Sequence, residues 1–197
     1  MSYSNKIGCY QGDCNVLLGR FPKFSEYVKD FSRTQSGNGL DLGCGPGACN
    51  GKFFQSCTLD GCDADESVVE SFPENYQDRF VFKLGKDTLP YDEKSKDFVI
   101  LSCVIQHLNS YDELVMGLTD VARILKPTGQ LFLMFKSGAN NTLLTHYNEV
   151  YNEIREFRVF HPNKIEELVK ILKLQVISCE NLLDDNWIPY SCMVVEK

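Results

Sequence analysis

The chain has 197 residues, 43% of them hydrophobic and 24% charged, and a formal net charge of -7. That is the size of one domain, with enough apolar content to close a core without disulfides or metals, and it excludes wholesale disorder. The acidic balance argues against broad binding to a phosphate backbone, which needs clustered positive charge, and the apolar run Phe98–Ile105, broken by Ser102, is too short to span a membrane.

The lead-in to Gly19 has weak periodicity, and Met1-Ser2-Tyr3-Ser4-Asn5-Lys6 lacks the apolar centre of a secretory leader. From 21 to 31, apolar residues at 21, 24, 27, 28 and 31 share one helical face, and Ser36-Gly37-Asn38-Gly39 ends the helix. Short apolar runs then alternate with amphipathic stretches. The runs fall at 40–42, 57–62, 79–84, 98–104 and 130–135; helical candidates lie at 48–55, 65–72, 111–125 and 163–173. Strands alternating with helices predict βαβ units and a mainly parallel sheet. Two last runs, 174–179 and 188–195, have no helix between them and predict an antiparallel hairpin at the sheet edge. The expected fold is a Rossmann-like three-layer α/β/α sandwich: a doubly wound, mainly parallel seven-stranded sheet with an antiparallel last strand. A single domain spans 1–197, with a lead-in and helix at 1–37, a core at 38–135, and a further segment with the terminal hairpin at 136–197.

Nine cysteines are an odd number, and no Cys-x-x-Cys pair occurs. The gaps in Cys9/Cys14, Cys44/Cys49 and Cys57/Cys62 do not suit zinc, and most cysteines sit in apolar neighbourhoods. The reading is reduced side chains acting as small buried hydrophobes, in the cytoplasm or the nucleus, with no metal site.

The informative stretch is Leu40-Asp41-Leu42-Gly43-Cys44-Gly45-Pro46-Gly47. A short strand runs straight into three glycines and then a helix. Glycines are needed where a backbone turns sharply and lies against a ligand, and amides at a helix start favour polar or anionic atoms. The next strand ends Gly61-Cys62-Asp63, which places a carboxylate beside the turn, where it can accept two hydrogen bonds from a ribose diol. Such a residue also commonly caps a helix, although Asp65 is available for that. The pattern is GxGxG and not the GxGxxG of nicotinamide dehydrogenases.

The Leu40–Gly47 segment resembles the first motif of class I S-adenosylmethionine-dependent methyltransferases. The resemblance continues in order through Asp63, Leu89-Pro90-Tyr91 with Lys96-Asp97-Phe98-Val99-Ile100, Val104-Ile105-Gln106-His107-Leu108, and Ala122-Arg123-Ile124-Leu125-Lys126-Pro127-Thr128-Gly129-Gln130-Leu131. It implies that Gly43, Cys44, Gly45 and Gly47 lie along the cofactor's methionine portion. It implies that Asp41 holds the methionine ammonium or else caps the loop amides, that Asp63 binds the ribose hydroxyls, and that Ala64 lies near the adenine. Ser102 would face the methionine carboxylate. The acid that usually receives the adenine amino group falls on Gly85, so Asp87 is the expected substitute. Thr128 replaces the first glycine of the usual Pro-Gly-Gly turn, which predicts a turn that needs no positive φ there.

Methyl transfer from S-adenosylmethionine asks mainly for alignment, since the sulfonium is a good leaving group. His107, beside the expected acceptor mouth, is the candidate general base, with a packed structural role as the alternative. His161, before Pro162, is read as a helix start. The polar and aromatic stretch 136–161, with Tyr147, Tyr151, Phe157, Arg155 and Arg158, is either a lid over the acceptor or a helical cover packed through Val150, Ile154 and Phe157. The expected acceptor is a small molecule. An RNA or protein acceptor, with a partner subunit, and a non-catalytic cofactor-binding scaffold are the alternatives.

Overall fold

The computed structural model describes residues 22–45, 50–70, 76–148, 153–183 and 189–197. Helix α1 (Pro22–Ser32) turns Val28 and Phe31 inward. Then follow β1 (Asn38–Leu42), β2 (Thr58–Asp63), α2 (Glu66–Glu70), β3 (Arg79–Val81), β4 (Lys96–Ser102), α3 (Tyr111–Ile124) and β5 (Leu125–Lys136). The chain closes with β6 (Thr142–Asn148), β7 (Glu153–Val159), α4 (Pro162–Ile171), β8 (Gln175–Leu183) and β9 (Pro189–Glu196).

Seven strands form one sheet in the order β3-β2-β1-β4-β5-β9-β8. All pairs from β3 to β5 are parallel, and β9 runs antiparallel to both of its neighbours. Each face carries its own core. Leu40, Leu42, Val99, Leu101, Leu131 and Leu133 pack with Leu114, Leu118, Val121, Ile165 and Val169 of α3 and α4. On the other face Phe98, Ile100, Phe132 and Met134 meet Val28, Phe31, Phe54 and Val68. Central strands covered on both sides need apolar residues at consecutive positions, which is why 98–101 reads as an unbroken run. The strand order reverses between β1 and β4, and in such a sheet a ligand binds outside the carboxyl ends of the strands at that switch.

Four local expectations change. The third strand stops at Val81, since the chain turns through Gly85 at φ 76°. The described part of the 48–55 helix is one 3₁₀ turn, Gly51–Phe53. Thr128 does adopt positive φ, 68°, contrary to the expectation drawn from its replacement of glycine. Its amide donates to Lys197 O at 2.8 Å and the Lys197 amide donates to Gly129 O, so Lys197 holds the turn in shape. Lastly, the 136–161 stretch is not a helical cover. It forms a two-stranded antiparallel hairpin, β6–β7, in which Phe157 and Val159 are buried while Ile154 is 70% exposed. The spacing of Ile154 and Phe157 mimics a helix, but the alternation of buried Phe157 and Val159 follows the two-residue period of a strand. Val150 lies outside the described residues.

Of the described cysteines, Cys44, Cys62 and Cys192 are buried and Cys57 and Cys103 partly so; Cys179 is exposed, against the general expectation of burial.

Candidate active site

The turn after β1 is held by backbone groups. Gly43 and Gly45 sit at φ 74° and 67°, where a side chain is strained. The amides of Gly43 and Cys44 both donate to Cys62 O, at 2.8 and 3.2 Å, which pins the turn against the end of β2. The Cys44 thiol donates to the same carbonyl, so this side chain faces inward and leaves its backbone to line the turn. A Cβ on Gly43 would lie 2.5 Å from a Val104 methyl, whereas one on Gly45 would meet nothing within 4 Å among the described residues. Packed on one side and open on the other, the turn is a cradle.

Asp63 closes it. Its Oδ2 accepts from the Gly45 amide at 3.0 Å and its Oδ1 from the Asp65 amide at 3.1 Å. Burial pushes this carboxyl above the usual range, against backbone amides of Asp65, Gly45 and Ala64 that pull it down. A carboxylate offers about four lone-pair sites, so the group that shapes the turn can still accept from a hydroxyl. Ala64 is half-buried just beyond it. Asp65 caps α2 through its Oδ1, which accepts from the Ser67 amide at 2.9 Å.

Residues 40–133 match the family model described as a methyltransferase domain. That match places this segment in the class I S-adenosylmethionine-dependent methyltransferase family. Its cofactor is S-adenosylmethionine. No curated protein matches the sequence. Among solved structures, the protein is similar to the 1,6-didemethyltoxoflavin-N1-methyltransferase of Burkholderia thailandensis, solved with 1,6-didemethyltoxoflavin and S-adenosylhomocysteine: 15% identity, TM-score 0.72, covering 99% of this chain and 86% of that one. The PH0226 protein of Pyrococcus horikoshii gives 18%, 0.70, 100% and 99%. The Haloferax volcanii complex of the Trm112 methyltransferase activator with a methyltransferase gives 15%, 0.70, 94% and 94%. At these identities the likeness is one of fold.

Asp41 of the methyltransferase is fully buried at the heart of this end. Its Oδ2 accepts from the Tyr76 hydroxyl at 2.7 Å and its Oδ1 from the Asn50 amide nitrogen at 3.2 Å. Among the described residues, the loop amides of Gly43, Cys44 and Gly45 bond to Cys62 O and Asp63 and not to Asp41. Loss of solvent raises its pKa to about 6, against the two hydrogen bonds that lower it, and the nearby charge of Asp63 adds to the rise. Neither Tyr76 nor Asn50 carries a sequence signal. Only the fold brings them to Asp41.

Ser102, half-buried, ends β4 opposite Met134 of β5. A Cβ at Gly85 would lie 2.1 Å from Glu113 O, so no acidic side chain fits where the family pattern has one. The substitute, Asp87, is exposed, and its Oδ2 accepts from the Lys83 amide at 2.7 Å, closing the local turn. Gly47 lies outside the described residues.

The methyltransferase builds its other rim from the 3₁₀ turn Ile105–His107 and the β6–β7 hairpin. His107 is exposed at the end of that turn. Strand β7 packs on it: Phe157 is buried, and Arg158 donates to Leu108 O through Nε, at 3.5 Å, and to Asn109 O through a terminal nitrogen. The Lys136 ammonium lies 4.1 Å from the Phe157 ring centroid and 4.8 Å from that of Tyr190. Arg158 is the strap that fastens the hairpin. His161 caps α4, accepting from the Asn163 amide at Nδ1, as expected. Tyr151 lies outside the described residues.

Proposed function

We propose that this S-adenosylmethionine-dependent methyltransferase acts on a small-molecule acceptor, which enters between the β4 turn and the β6–β7 hairpin. The observation that carries this reading is the hairpin itself. Arg158 fastens it to Leu108 O and Asn109 O in the loop that follows β4, and its Phe157 is buried, so apolar and aromatic groups, the usual lining of a small-molecule site, border this side. The net charge of -7 supports it against a polyanionic acceptor. So does the fold shared with the Burkholderia enzyme, whose own structure holds a small heteroaromatic substrate.

The cofactor supplies a methyl group on a sulfonium that departs readily. In this reading the turn at Gly43, Cys44, Gly45 and Gly47 holds its methionine portion, Ser102 faces the carboxylate, Asp63 takes the ribose hydroxyls, and Ala64 borders the adenine. Asp41 acts at one remove, fixing Tyr76 and Asn50 beneath the turn. The Asp87 carboxylate, turned to the Lys83 amide, supports a turn more than an adenine contact. His107, exposed at the rim, serves as base only where the acceptor must lose a proton. The compartment proposed is the cytoplasm. A partner subunit is supported only by the likeness to the Haloferax complex.

Transfer from tritium-labelled S-adenosylmethionine to a panel of small metabolites and to bulk tRNA tests the proposal. Turnover on a metabolite that is nearly insensitive to moderate salt is expected. Robust tRNA methylation that falls steeply with salt would overturn it.

A further inference from the structure

The 3₁₀ turn Ile105–His107 holds a polar group that the fold leaves unsatisfied. Gln106 is 3% exposed, and among the described residues its Oε1 has no hydrogen-bond partner. The other end of the carboxamide faces the thiol of Cys103. Reversing the amide would only exchange which end is orphaned, since the thiol can serve one end at a time. Buried amides in native proteins are nearly always paired, so an exception needs an explanation.

Its position supplies one. Cys103, directly after β4, holds φ 62° although it is not glycine, a conformation that the Met134 carbonyl fixes by accepting from its amide at 2.8 Å. Such strain is found preferentially where geometry serves a site. The next residue, Val104, lies against Gly43 of the cofactor turn. Strand β7 packs on the same 3₁₀ turn from the other side, with Phe157 and the Lys136 ammonium over its ring close by. Gln106 thus stands between the cofactor turn and the hairpin. The turn that carries it is flanked by Val104 at the Gly43 turn and by strand β7, so a molecule entering between them is a partner for the stranded oxygen.

We infer that Gln106 is the acceptor-reading residue: its Oε1 accepts a hydrogen bond from an N–H or O–H of a small, largely apolar acceptor. The inference rests on the small-molecule reading of this site. An acceptor without such a donor would leave the oxygen stranded and be rejected, since a site built around a polar group discriminates by what it leaves unpaired. Gln106 positions the acceptor and takes no proton from it.

The test uses Gln106→Met, which keeps the length and removes the amide, and Gln106→Glu, which keeps an oxygen at that reach. Each is assayed with tritium-labelled S-adenosylmethionine on a panel of hydroxylated and amine-bearing aromatic compounds, alongside S-adenosylhomocysteine calorimetry and thermal melting. Gln106→Met should raise the acceptor KM about ten- to hundredfold, the loss expected for one buried hydrogen bond. It should leave S-adenosylhomocysteine affinity within about twofold and melt at or above the wild-type temperature, because a stranded amide has gone. Gln106→Glu should recover most of the KM. A lower melting temperature for Gln106→Met marks the amide as structural and overturns the inference, whether or not the panel contains an acceptor. An unchanged KM overturns it too. Failure of the wild-type chain to bind S-adenosylhomocysteine would strike the underlying reading instead.

Discussion

The two rims of the methyltransferase site are built from different materials. On the β1–β2 side the proposed cofactor rim is shaped by backbone: three consecutive amides, of Gly43, Cys44 and Gly45, are fixed by Cys62 O and Asp63, residues of the adjacent strand. On the β4–β7 side the proposed acceptor rim is shaped by side chains: Gln106 and Phe157, both buried, and Arg158 come from a 3₁₀ turn and from a hairpin some fifty residues further on. A backbone turn against a sheet has few ways to vary, so it suits a cofactor that never changes. Side chains on a hairpin outside the main sheet can be exchanged without disturbing strand pairing, so they suit an acceptor that differs from enzyme to enzyme.

That division can be broken at several points. The largest effect is expected at Asp41, whose charge is stored beneath the cofactor rim. Its pKa is raised in the folded state, so the native protein binds more protons than the unfolded chain between about pH 4 and 6. Stability from this group is therefore present at low pH and is lost as pH rises through that window. A rise from 3.8 to about 6 corresponds to roughly 3 kcal/mol. Urea unfolding of Asp41→Asn against wild type should show the variant gaining by up to that amount from pH 4 to pH 7. A flat difference curve would mean that Asp41 titrates normally.

Next in size is Asp63→Ala. It removes an acceptor for the Gly45 and Asp65 amides as well as for the cofactor, and hydrogen bonds to a charged group are worth about 1.5–3 kcal/mol. S-adenosylhomocysteine affinity should fall roughly ten- to hundredfold by calorimetry. Lower stability with unchanged affinity would reduce Asp63 to a structural brace.

Arg158→Ala sharpens the contrast from the opposite rim. Without its bonds to Leu108 O and Asn109 O the hairpin loses its strap, and methyl transfer should drop about five- to tenfold, a loss within the range of two weak net hydrogen bonds, in a single-turnover assay. Cofactor affinity should hold. The smallest effect is Thr128→Gly, on neither rim, which relieves a left-handed residue and should add about 0.5–1 kcal/mol of stability by thermal melting. Either rim changing its behaviour in that variant would show that the two are coupled through the sheet.

The cofactor side was legible in sequence for a physical reason. Strands buried on both faces write continuous apolar runs, and a turn that must hold positive φ writes glycines, so β1 with its turn, β2, β4 and the 130–135 part of β5 could be read directly. The helix caps Asp65 and His161 were legible for the same reason, since capping is local. What escaped depends on distant contacts. Thr128 keeps its φ because Lys197 grips both sides of the turn. The hairpin 142–159 was ambiguous because Ile154 and Phe157 are spaced like a helix face while only Phe157 is buried. Asp41 was visible as an acid, but its partners Tyr76 and Asn50 come from loops with no periodic signal. Gln106 stands inside a recognisable motif, yet only burial reveals that one end of its amide is unpaired.

One calorimetric series tests the division of labour directly: S-adenosylhomocysteine titrated into the wild-type chain, Asp63→Ala and Arg158→Ala under one buffer. The account predicts firm binding to the wild type, a ten- to hundredfold loss in Asp63→Ala, and a change within about twofold in Arg158→Ala. Equal weakening in both variants, or a larger loss in Arg158→Ala, would contradict it.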